Sequence, residues 1–383
     1  MNVIVFSHLR WDFVYQRPQH LLSRCSKQFP VWFVEEPVFH PAGELPEPRL
    51  ETSARGERLT LCVPHLVHGT SEEESFRIQS QLVNELMGRE QIDDYIFWFY
   101  TPMAMQFAQD FDPKAVVYDC MDELSAFRGA PPGLRAAETE LLKRADVVFT
   151  GGQTLYEAKK HQHRNIHPFP SSIDRAHFSQ ARTIEEPEDQ KHIAHPRLGF
   201  AGVIDERMDT ELLRAIAALK PEWQFVMVGP VVKISDEDLP KAANIHYLGG
   251  RDYKQLPAYM SGWDIGILPF ALNESTKYIS PTKTPEYLAA GLPVVSTPIT
   301  DVVHPYGEKG LVKIAETPQE FVAAAESLLN VKHDAERLKQ VDTFLSRSSW
   351  DSTWQQMCAL ITDAIGSDAE TGDSDSLETA QSA

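Results

Sequence analysis

The sequence predicts an α/β protein made of two doubly wound domains that face each other across a cleft. Short β-branched or aromatic runs alternate with helical segments along the chain, the alternation stops once and then restarts, and the chain has 383 residues. Strands that alternate with helices form parallel sheets covered on both faces. A chain of this length has room for two domains of about 100 to 200 residues each.

The first domain is predicted to span residues 1–179. Helices are expected to begin at Pro18, near Ser71, at Pro102 and near Gly133, because proline in the first helical turn loses no hydrogen bond. The predicted strands of this half are 3–6, 31–34, 96–100, 115–118 and 147–150.

The second domain is predicted to span residues 197–348. It follows an acidic, proline-bearing segment, 180–196, which has the composition of a linker. The predicted strands of this half are 198–203, 225–228, 245–248, 265–268, 294–296 and 311–314.

Two further segments close the chain. Residues 349–366 place Trp350, Trp354 and Met357 at helical spacing, which predicts a helix that packs back toward the first domain. Residues 367–383 carry five acidic residues and no basic one, a composition typical of a disordered tail.

The composition excludes several functional classes. A net charge of −19 argues against nucleic-acid binding, which needs a basic face. The four cysteines form no C-x-x-C pair, and no stretch has the length of a signal peptide core or a membrane span. We therefore expect a cytoplasmic protein with free thiols. Peripheral contact with the inner face of the membrane is compatible with this expectation.

The loops that follow the strands should carry the chemistry, because ligands of doubly wound sheets bind at the carboxyl ends of the strands. The loop after the first strand and the helix start beyond it contain His8, Arg10, Trp11, Arg17 and His20. Aromatic faces stack on sugar rings and arginine binds anions, so these first-domain residues form a candidate platform for a carbohydrate or a phosphate. The alternative is an ordinary solvated loop.

Asp119 and Asp122 follow the strand 115–118 and are candidate catalytic carboxylates. Turn formation or helix capping explains them equally well. Gly151 and Gly152 could admit a phosphate, but the glycine patterns of dinucleotide-binding folds and of P-loops are absent, so no cofactor is expected. No metal is expected either, because the histidines near residue 161 lack a third ligand.

The second domain offers Gly202 and Arg207 after its first strand, and the stretch TKTPEYLAAGLPVVST at residues 282–297. This stretch predicts a short helix with Thr284 as its N-cap and Glu286 in its first turn. A helix start beside Lys283 suits an anion, and an acid there can bind a ribose diol. Glu286 could equally serve only to complement the helix dipole.

Three segments in order resemble the GT-B glycosyltransferases of family 4, also called glycosyltransferase group 1. They are FPSSIDRAHF at 169–178, NIHYLGGRDYKQLPAYMSGWDIGILPF at 244–270, and PTKTPEYLAAGLPVVST at 281–297. The opening WDFVYQRPQHLLSR further resembles a bacterial subgroup that includes teichuronic acid biosynthesis glycosyltransferases.

The resemblance implies two Rossmann-like domains, donor binding mainly by the second, and acceptor binding mainly by the first. It implies a nucleotide-sugar donor, a glycan, lipid-linked or small-molecule acceptor, no metal, and retention of anomeric configuration. It places Glu286 on the donor ribose and makes Lys283 and Arg207 the cations of the leaving diphosphate. The candidate donor-binding residues are Gly202, Arg207, Tyr278, Thr282, Lys283 and Glu286.

The chain departs from the family pattern at two informative positions. Tyr278 stands where the partner of the paired glutamates is expected, and Met121-Asp122 replaces a His-Asp pair. Two alternatives to a glycosyltransferase of surface polysaccharide synthesis therefore stay open. One is a nucleotide-sugar epimerase on the same fold, and the other is a non-catalytic nucleotide-sugar or glycan-binding protein.

Overall fold

A computed structural model describes residues 1–378 of the chain, with side chains described as far as residue 366. The first half forms a nine-stranded sheet of order β3-β5-β2-β1-β6-β7-β8-β9, with β4 paired to the outer part of β5. Every pair is parallel except β4 with β5. The strands are β1 Asn2–Ser7, β2 Val31–Glu35, β3 Val38–His40, β4 Arg49–Ala54, β5 Leu59–Val67, β6 Tyr95–Phe99, β7 Val116–Cys120, β8 Val147–Thr150 and β9 Ile166–Pro168.

The second half forms a six-stranded parallel sheet of order β12-β11-β10-β13-β14-β15. Its order reverses at β10, so the crevice at the carboxyl end of β10 is the expected place for a ligand. The strands are β10 Arg197–Ala201, β11 Gln224–Val228, β12 Ile245–Gly249, β13 Ile265–Leu268, β14 Val294–Ser296 and β15 Lys313–Ile314.

Helices cover both sheets. They are α1 Arg17–Cys25, α2 Glu72–Glu90, α3 Met105–Ala108, α4 Leu134–Arg144, α5 Gln153–Lys159, α6 Arg175–Phe178, α7 Glu188–Lys191, α8 Thr210–Leu219, α9 Leu256–Ser261, α10 Lys283–Ala289, α11 Thr300–Val302, α12 Pro318–Glu326, α13 Ala335–Leu345 and α14 Trp350–Glu378. Within residues 1–378, no helix is both long enough and apolar enough to cross a bilayer.

Central strands are buried on both faces, as their unbroken apolar sequences require. All five residues of β6 (YIFWF) are buried, and all four of β13 (IGIL). A parallel strand that helices cover on both sides needs such a run rather than an alternating pattern. This is why the sequence predicts the central strands of both sheets, together with the edge strands β12 and β15 of the second.

The segment 180–196, predicted as a linker, is instead packed onto the second domain. Gln190 is fully buried, donates to the Tyr259 carbonyl over 3.0 Å, and accepts from Trp263 Nε1 over 2.9 Å. Arg182 donates to the Ala289 carbonyl over 2.9 Å. These partners lie 69 to 107 residues away along the chain, so the local composition could not reveal them.

The last helix, α14, packs on the first domain, although it follows the second in the chain. Trp350, Trp354, Met357 and Ile361 join the same apolar cluster as strands β1, β2 and β8. The helix continues to Glu378, although the sequence predicts disorder from residue 367 onward. Extending a helix that has already formed costs little free energy, because only its nucleation is unfavourable. The remainder of the predicted tail, residues 379–383, lies outside the described residues.

Candidate active site

A cleft runs between the carboxyl-terminal ends of the strands of the two sheets. It holds an outer cavity of about 1010 Å³ and an inner cavity of about 150 Å³, which share part of their lining. The outer cavity lies between loop 11–15 of the first domain and segments 228–230 and 250–256 of the second. Doubly wound sheets bind ligands at this edge, so the cleft is the candidate active site.

Two glycines bring backbone close to the cleft at the end of β10 and β11. Gly202 has φ +144°, and a Cβ there would lie 2.1 Å from Lys283 Cε. Gly229 has φ +155°, and its Cβ would lie 1.8 Å from the Gly202 carbonyl oxygen. Only glycine fits these positions, so the cavity floor is bare backbone on which a large anion can rest.

Helix α10 begins at Lys283, two residues earlier than a Thr284 cap would place it. Thr284 is fully buried inside the helix, and its hydroxyl has no hydrogen-bond partner within the described chain. The helix ends at Ala289, and Gly291, two residues beyond it, has a φ of +86°, the left-handed conformation that terminates helices. Thr282, Lys283 and Glu286 all line the inner cavity.

Lys283 and Glu286 are opposite charges held in poorly hydrated surroundings. Burial raises the pKa of Glu286, and the charge of Lys283 only partly opposes this. Burial and the nearby guanidinium of Arg207 lower the pKa of Lys283. Both groups are therefore short of counter-charge, which is typical of side chains that await a ligand.

Arg207 supplies a second cation to the inner cavity, and Asp205 holds it in place. Arg207 Nε donates to Asp205 Oδ1 over 3.0 Å, and its Nη2 donates to Oδ2 over 2.6 Å. The guanidinium also lies 5.5 Å from the ring centre of Phe127, across the cleft in the first domain. Asp205 stands with Arg207 in the segment GFAGVIDERMD, which the sequence places at the rim of the cleft, whereas no local pattern singles out Phe127.

Asp122 faces these cations from the first domain and lines the inner cavity. Burial raises the pKa of Asp122 to about 6, although the charges of Arg207 and Arg17 oppose the shift. A carboxyl group with this pKa exchanges its proton near neutral pH, as a general acid or base must. The geometry therefore places Asp122 among the groups that can act on a ligand.

Asp119 is not placed where it could react. Its carboxylate is completely buried and accepts three hydrogen bonds of 2.8 to 3.0 Å from the buried guanidinium of Arg17. Arg17 Nη1 also donates to the Phe169 carbonyl over 2.7 Å. The pair ties α1 to β7 beneath the inner cavity, so both residues support the floor of the site, and the catalytic hypothesis for Asp119 is corrected.

The first-domain loop is held by its own contacts. Arg10 donates to Glu35 over 2.8 Å and to the Glu36 carbonyl over 2.6 Å, so its charge is occupied far from the inner cavity. Burial lowers the pKa of His8 to about 4, which keeps its ring neutral. Trp11 does line the outer cavity. Of the acceptor-side candidates, only Trp11 and Arg17 are therefore among the described lining residues of the cleft.

His20 belongs to an aromatic cluster that joins the two domains. Its ring stacks on Trp350 of α14 at 4.6 Å and contacts Tyr253 of the second domain edge-on at 5.5 Å. Tyr253 in turn stacks on Tyr15 at 4.6 Å, and both line the outer and inner cavities. Burial lowers the pKa of His20 to about 3, so it is a neutral packing residue, not an anion-binding one. Tyr253 is a cleft residue that the sequence did not single out.

Tyr278 is separated from the other predicted donor-binding residues. It packs against the apolar core of the first domain, and Lys277 Nζ lies 5.2 Å from its ring centre. It is not among the described lining residues of either cavity, whereas Gly202 and Thr282 are. Its phenol ring is bulkier and more apolar than the carboxylate expected there, and the ring is used in packing between the domains.

Asp301 of the second domain caps helix α5 of the first. Its carboxylate accepts from the backbone N–H of Gln153 over 2.9 Å, from that of Thr154 over 3.0 Å, and from the Thr154 hydroxyl. A Cβ on Gly152 would lie 2.4 Å from Asp301 Oδ2. The Asp301 carboxylate of the second domain therefore occupies the space beside Gly152. The sequence had suggested this glycine pair as a place for a phosphate.

We expect the Asp301→Ala variant to lose about 0.5–2 kcal/mol of free energy of unfolding, the usual cost of an N-cap. We also expect a larger radius of gyration by small-angle scattering, because this cap joins the two domains. The control is Asp209→Ala, which removes the cap of α8 within the second domain. It should lower stability by a similar amount without changing the scattering. Unchanged stability and scattering in the Asp301→Ala variant would contradict the role of this contact.

No group of three or more His, Cys, Asp or Glu side chains in the described part of the chain is arranged to hold a metal ion. The charged groups in the described lining of the inner cavity are three cations, Arg17, Lys283 and Arg207, and two carboxylates, Glu286 and Asp122. Arg17 is paired with the buried Asp119. Such a site suits a ligand that carries an anionic group beside several hydroxyls.

Residues 195–331 match the family described as Glycosyl transferases group 1. They begin just before β10 and include Gly202, Arg207, Lys283 and Glu286. This segment is a glycosyl transferases group 1 domain. The chain as a whole has the GT-B fold.

A sequence relative and several solved structures agree with this assignment. The glycosyltransferase TuaH of Bacillus subtilis (strain 168), assigned to teichuronic acid biosynthesis, is 26% identical over 286 residues, which cover 68% of this chain and 70% of TuaH. Sucrose-phosphate synthase from Thermosynechococcus elongatus superposes with a TM-score of 0.73 at 13% identity, covering 96% of this chain and 99% of that one. The E. coli trehalose-6-phosphate protein bound with UDP-2-fluoro glucose gives a TM-score of 0.68 at 12% identity, with 95% and 99% covered.

The matched domain contributes Lys283, Arg207 and Glu286 to the inner cavity, and the first domain contributes the facing Asp122. A structure of starch synthase IV from Arabidopsis thaliana, bound to ADP and acarbose, shares the fold with a TM-score of 0.64 at 11% identity, covering 95% of this chain and 99% of that one.

Proposed function

We propose that this glycosyltransferase moves a sugar from a nucleotide-sugar donor to a hydroxyl group of a glycan, lipid-linked or small-molecule acceptor. The observation that carries the proposal is the convergence of Lys283, Arg207 and Glu286 on the inner cavity, opposite Asp122. The similarity to TuaH supports a role in the synthesis of a cell-surface polysaccharide. We place the reaction in the cytoplasm, with peripheral contact to the membrane if the acceptor is lipid-linked.

The donor fits the cleft in one orientation. The nucleoside occupies the outer cavity, and its diphosphate rests on the bare backbone at Gly202, within reach of Lys283 and Arg207. Glu286 then accepts hydrogen bonds from the ribose diol, as an acid does in dinucleotide-binding folds. Binding of the diphosphate also offsets the low pKa of Lys283, because an anion stabilises the charged ammonium.

The transfer step follows from the charges around the inner cavity. The bond between the anomeric carbon and the diphosphate oxygen breaks, and the acceptor oxygen forms the new bond. Asp122 takes the proton of the acceptor hydroxyl. Lys283 and Arg207 stabilise the charge that grows on the departing diphosphate.

Two finer features belong to the same proposal. The two cations fill the role that a metal ion would otherwise have on the leaving group, so the reaction is metal-independent. Attack on the face that the diphosphate leaves gives retention of the anomeric configuration. Carbon NMR of the product and activity in the presence of a chelator test these features separately.

The donor site is tested with the Glu286→Gln variant. We expect its donor KM to rise about 10- to 100-fold, because hydrogen bonds to a charged group contribute about 1.5–3 kcal/mol. The control is Glu274→Gln, whose side chain is 79% exposed on a neighbouring loop and which should keep the donor KM of the wild type. The assay measures nucleoside diphosphate release with panels of UDP, GDP, ADP and dTDP sugars.

An unchanged donor KM in the Glu286→Gln variant would contradict the ribose assignment. Conversion of the donor to an epimer without acceptor would replace the proposal by an epimerase. Tight nucleotide binding with no turnover of any donor would replace it by a binding protein.

A further inference from the structure

A third cavity, of about 740 Å³, lies at the hinge between the two domains, and the proposed reaction does not use it. We call it the hinge cavity. Its walls come from segment 167–172 of the first domain, from residues 301–306 of the second, and from helix α14. Ser171 and Ser280 line both this cavity and the inner cavity, so the two are neighbours on opposite sides of these residues.

Most of the hinge cavity wall is apolar. Phe169, Tyr306, Phe344 and Leu360 contribute aromatic and aliphatic surface from three parts of the chain. These side chains are only partly buried although they pack beside the main clusters. Contact with an apolar ligand would remove their free apolar surface from water, which favours binding.

One fixed positive charge stands at this apolar wall without a partner. Within the described side chains, Arg347 has no ion pair and no hydrogen bond from its guanidinium, and it is exposed. Asp301 is the one acidic residue in the described lining, and the N-terminus of α5 already occupies its carboxylate. In a chain of net charge −19, a cavity whose free charge is positive is selective for anions.

A buried hydroxyl adds a third feature. Ser172 lines the cavity with only 4% of its surface exposed, and its Oγ has no hydrogen-bond partner in the described chain. A buried hydroxyl without a partner is unfavourable, and a bound acceptor atom would satisfy it. Apolar walls, a free guanidinium and an unsatisfied hydroxyl together fit a molecule with an apolar chain and an anionic head.

We propose that the hinge cavity is a second binding site, separate from the donor site, for a small amphipathic anion such as a monoalkyl phosphate. The alkyl chain lies against Phe169, Tyr306 and Leu360, and the phosphate pairs with Arg347. Because the walls belong to both domains and to α14, the bound molecule contacts all three. This inference does not rest on the assignment of the donor.

The test is isothermal titration calorimetry of the full chain with n-octyl phosphate, compared with n-octanol and with inorganic phosphate. We expect octyl phosphate to bind at least tenfold more tightly than either comparison compound. Octanol has the alkyl chain without the anion, and inorganic phosphate has the anion without the alkyl chain. Equal binding of inorganic phosphate, or no binding of octyl phosphate, would overturn the proposal.

Four variants locate the binding. Arg347→Gln should weaken octyl phosphate binding about tenfold or more, and Ala359→Trp, which fills the cavity from α14, should abolish it. Arg164→Gln removes another exposed arginine outside the described lining and should bind as the wild type does. Lys283→Ala should also bind octyl phosphate as the wild type does. If octyl phosphate bound in the inner cavity instead, this variant would lose affinity for it.

Binding that survives in both Arg347→Gln and Ala359→Trp would overturn the proposal, and so would binding lost in Lys283→Ala. Thermal unfolding of each variant confirms that it is folded before titration. Because the assay needs no donor, its failure is distinguishable from failure of the proposed glycosyl transfer.

Discussion

Replacing Lys283 by alanine is expected to lower kcat about 100- to 1000-fold, the usual cost of removing one group that stabilises developing negative charge. Lys283 lies in the first turn of α10, beside the bare backbone at Gly202, where the diphosphate is proposed to leave. The loss should appear in kcat at saturating donor, because the charge on the diphosphate grows only as the glycosidic bond breaks.

The control for this variant is Lys277→Ala. Lys277 belongs to the loop before α10, and its side chain is 53% exposed. Its removal should leave kcat within about twofold of the wild type, since exposed charges contribute little. A kcat for Lys283→Ala that is close to the wild-type value would remove Lys283 from the mechanism.

The pH dependence distinguishes charge from packing at this position. Because burial lowers the pKa of Lys283, the free enzyme should lose kcat/KM as the pH rises and the ammonium loses its proton, earlier than an ordinary lysine would. Lys283→Arg keeps the charge at all these pH values, so its profile should lack this alkaline limb. An identical limb in wild type and Lys283→Arg would show that another group causes it.

Replacing Asp122 by asparagine is expected to lower kcat about 100- to 10,000-fold, the contribution of a positioned general base. The pKa of Asp122 is raised to about 6, so at pH 5 about one-tenth of the carboxyl groups is ionised and able to accept a proton. In the wild type at saturating donor, where the ribose contact of Glu286 no longer limits the rate, kcat should therefore fall as the pH drops through 6. This acid limb should be absent from the residual activity of Asp122→Asn.

Asp110→Asn is the matched control, because Asp110 is an exposed acid of the same domain and should keep both rate and profile. Asp119→Asn gives the informative contrast. It breaks a fully buried ion pair with Arg17, so it should cost about 3–5 kcal/mol of stability while the folded fraction keeps the acid limb. An acid limb that persists in Asp122→Asn would exclude Asp122 as the base.

The centre of each sheet was predictable from the sequence, whereas the edge of the first sheet was not. The buried strands β1, β6 and β8 are continuous apolar runs between helices, which is the pattern that parallel sheets require. By contrast, β4 (RLETSA) is polar and mostly exposed, and β5 carries Pro64, a residue that usually argues against an inner strand. Their pairing depends on contacts with each other that no local pattern records.

The second-domain side of the site was also easier to predict than the first. Gly202, Lys283 and Glu286 lie in short segments whose own sequence sets the backbone, and all three line the inner cavity. Arg10 and Arg17 looked equally functional, but their partners are 25 and 102 residues away. A side chain's role depends on what meets it in space, and for an arginine those partners decide whether its charge is available.

The position of α14 has a consequence for the order in which the chain can fold during synthesis. Trp354 lies 6.3 Å from Trp98 of β6, and Trp350 stacks on His20 of α1, so the last helix completes the apolar cluster of the first domain. During synthesis, the first domain therefore leaves the ribosome before the helix that completes its apolar core. The second domain is fully synthesised before that helix. Nascent chains must keep that surface from aggregating until the final helix emerges, which makes the first domain the last to mature.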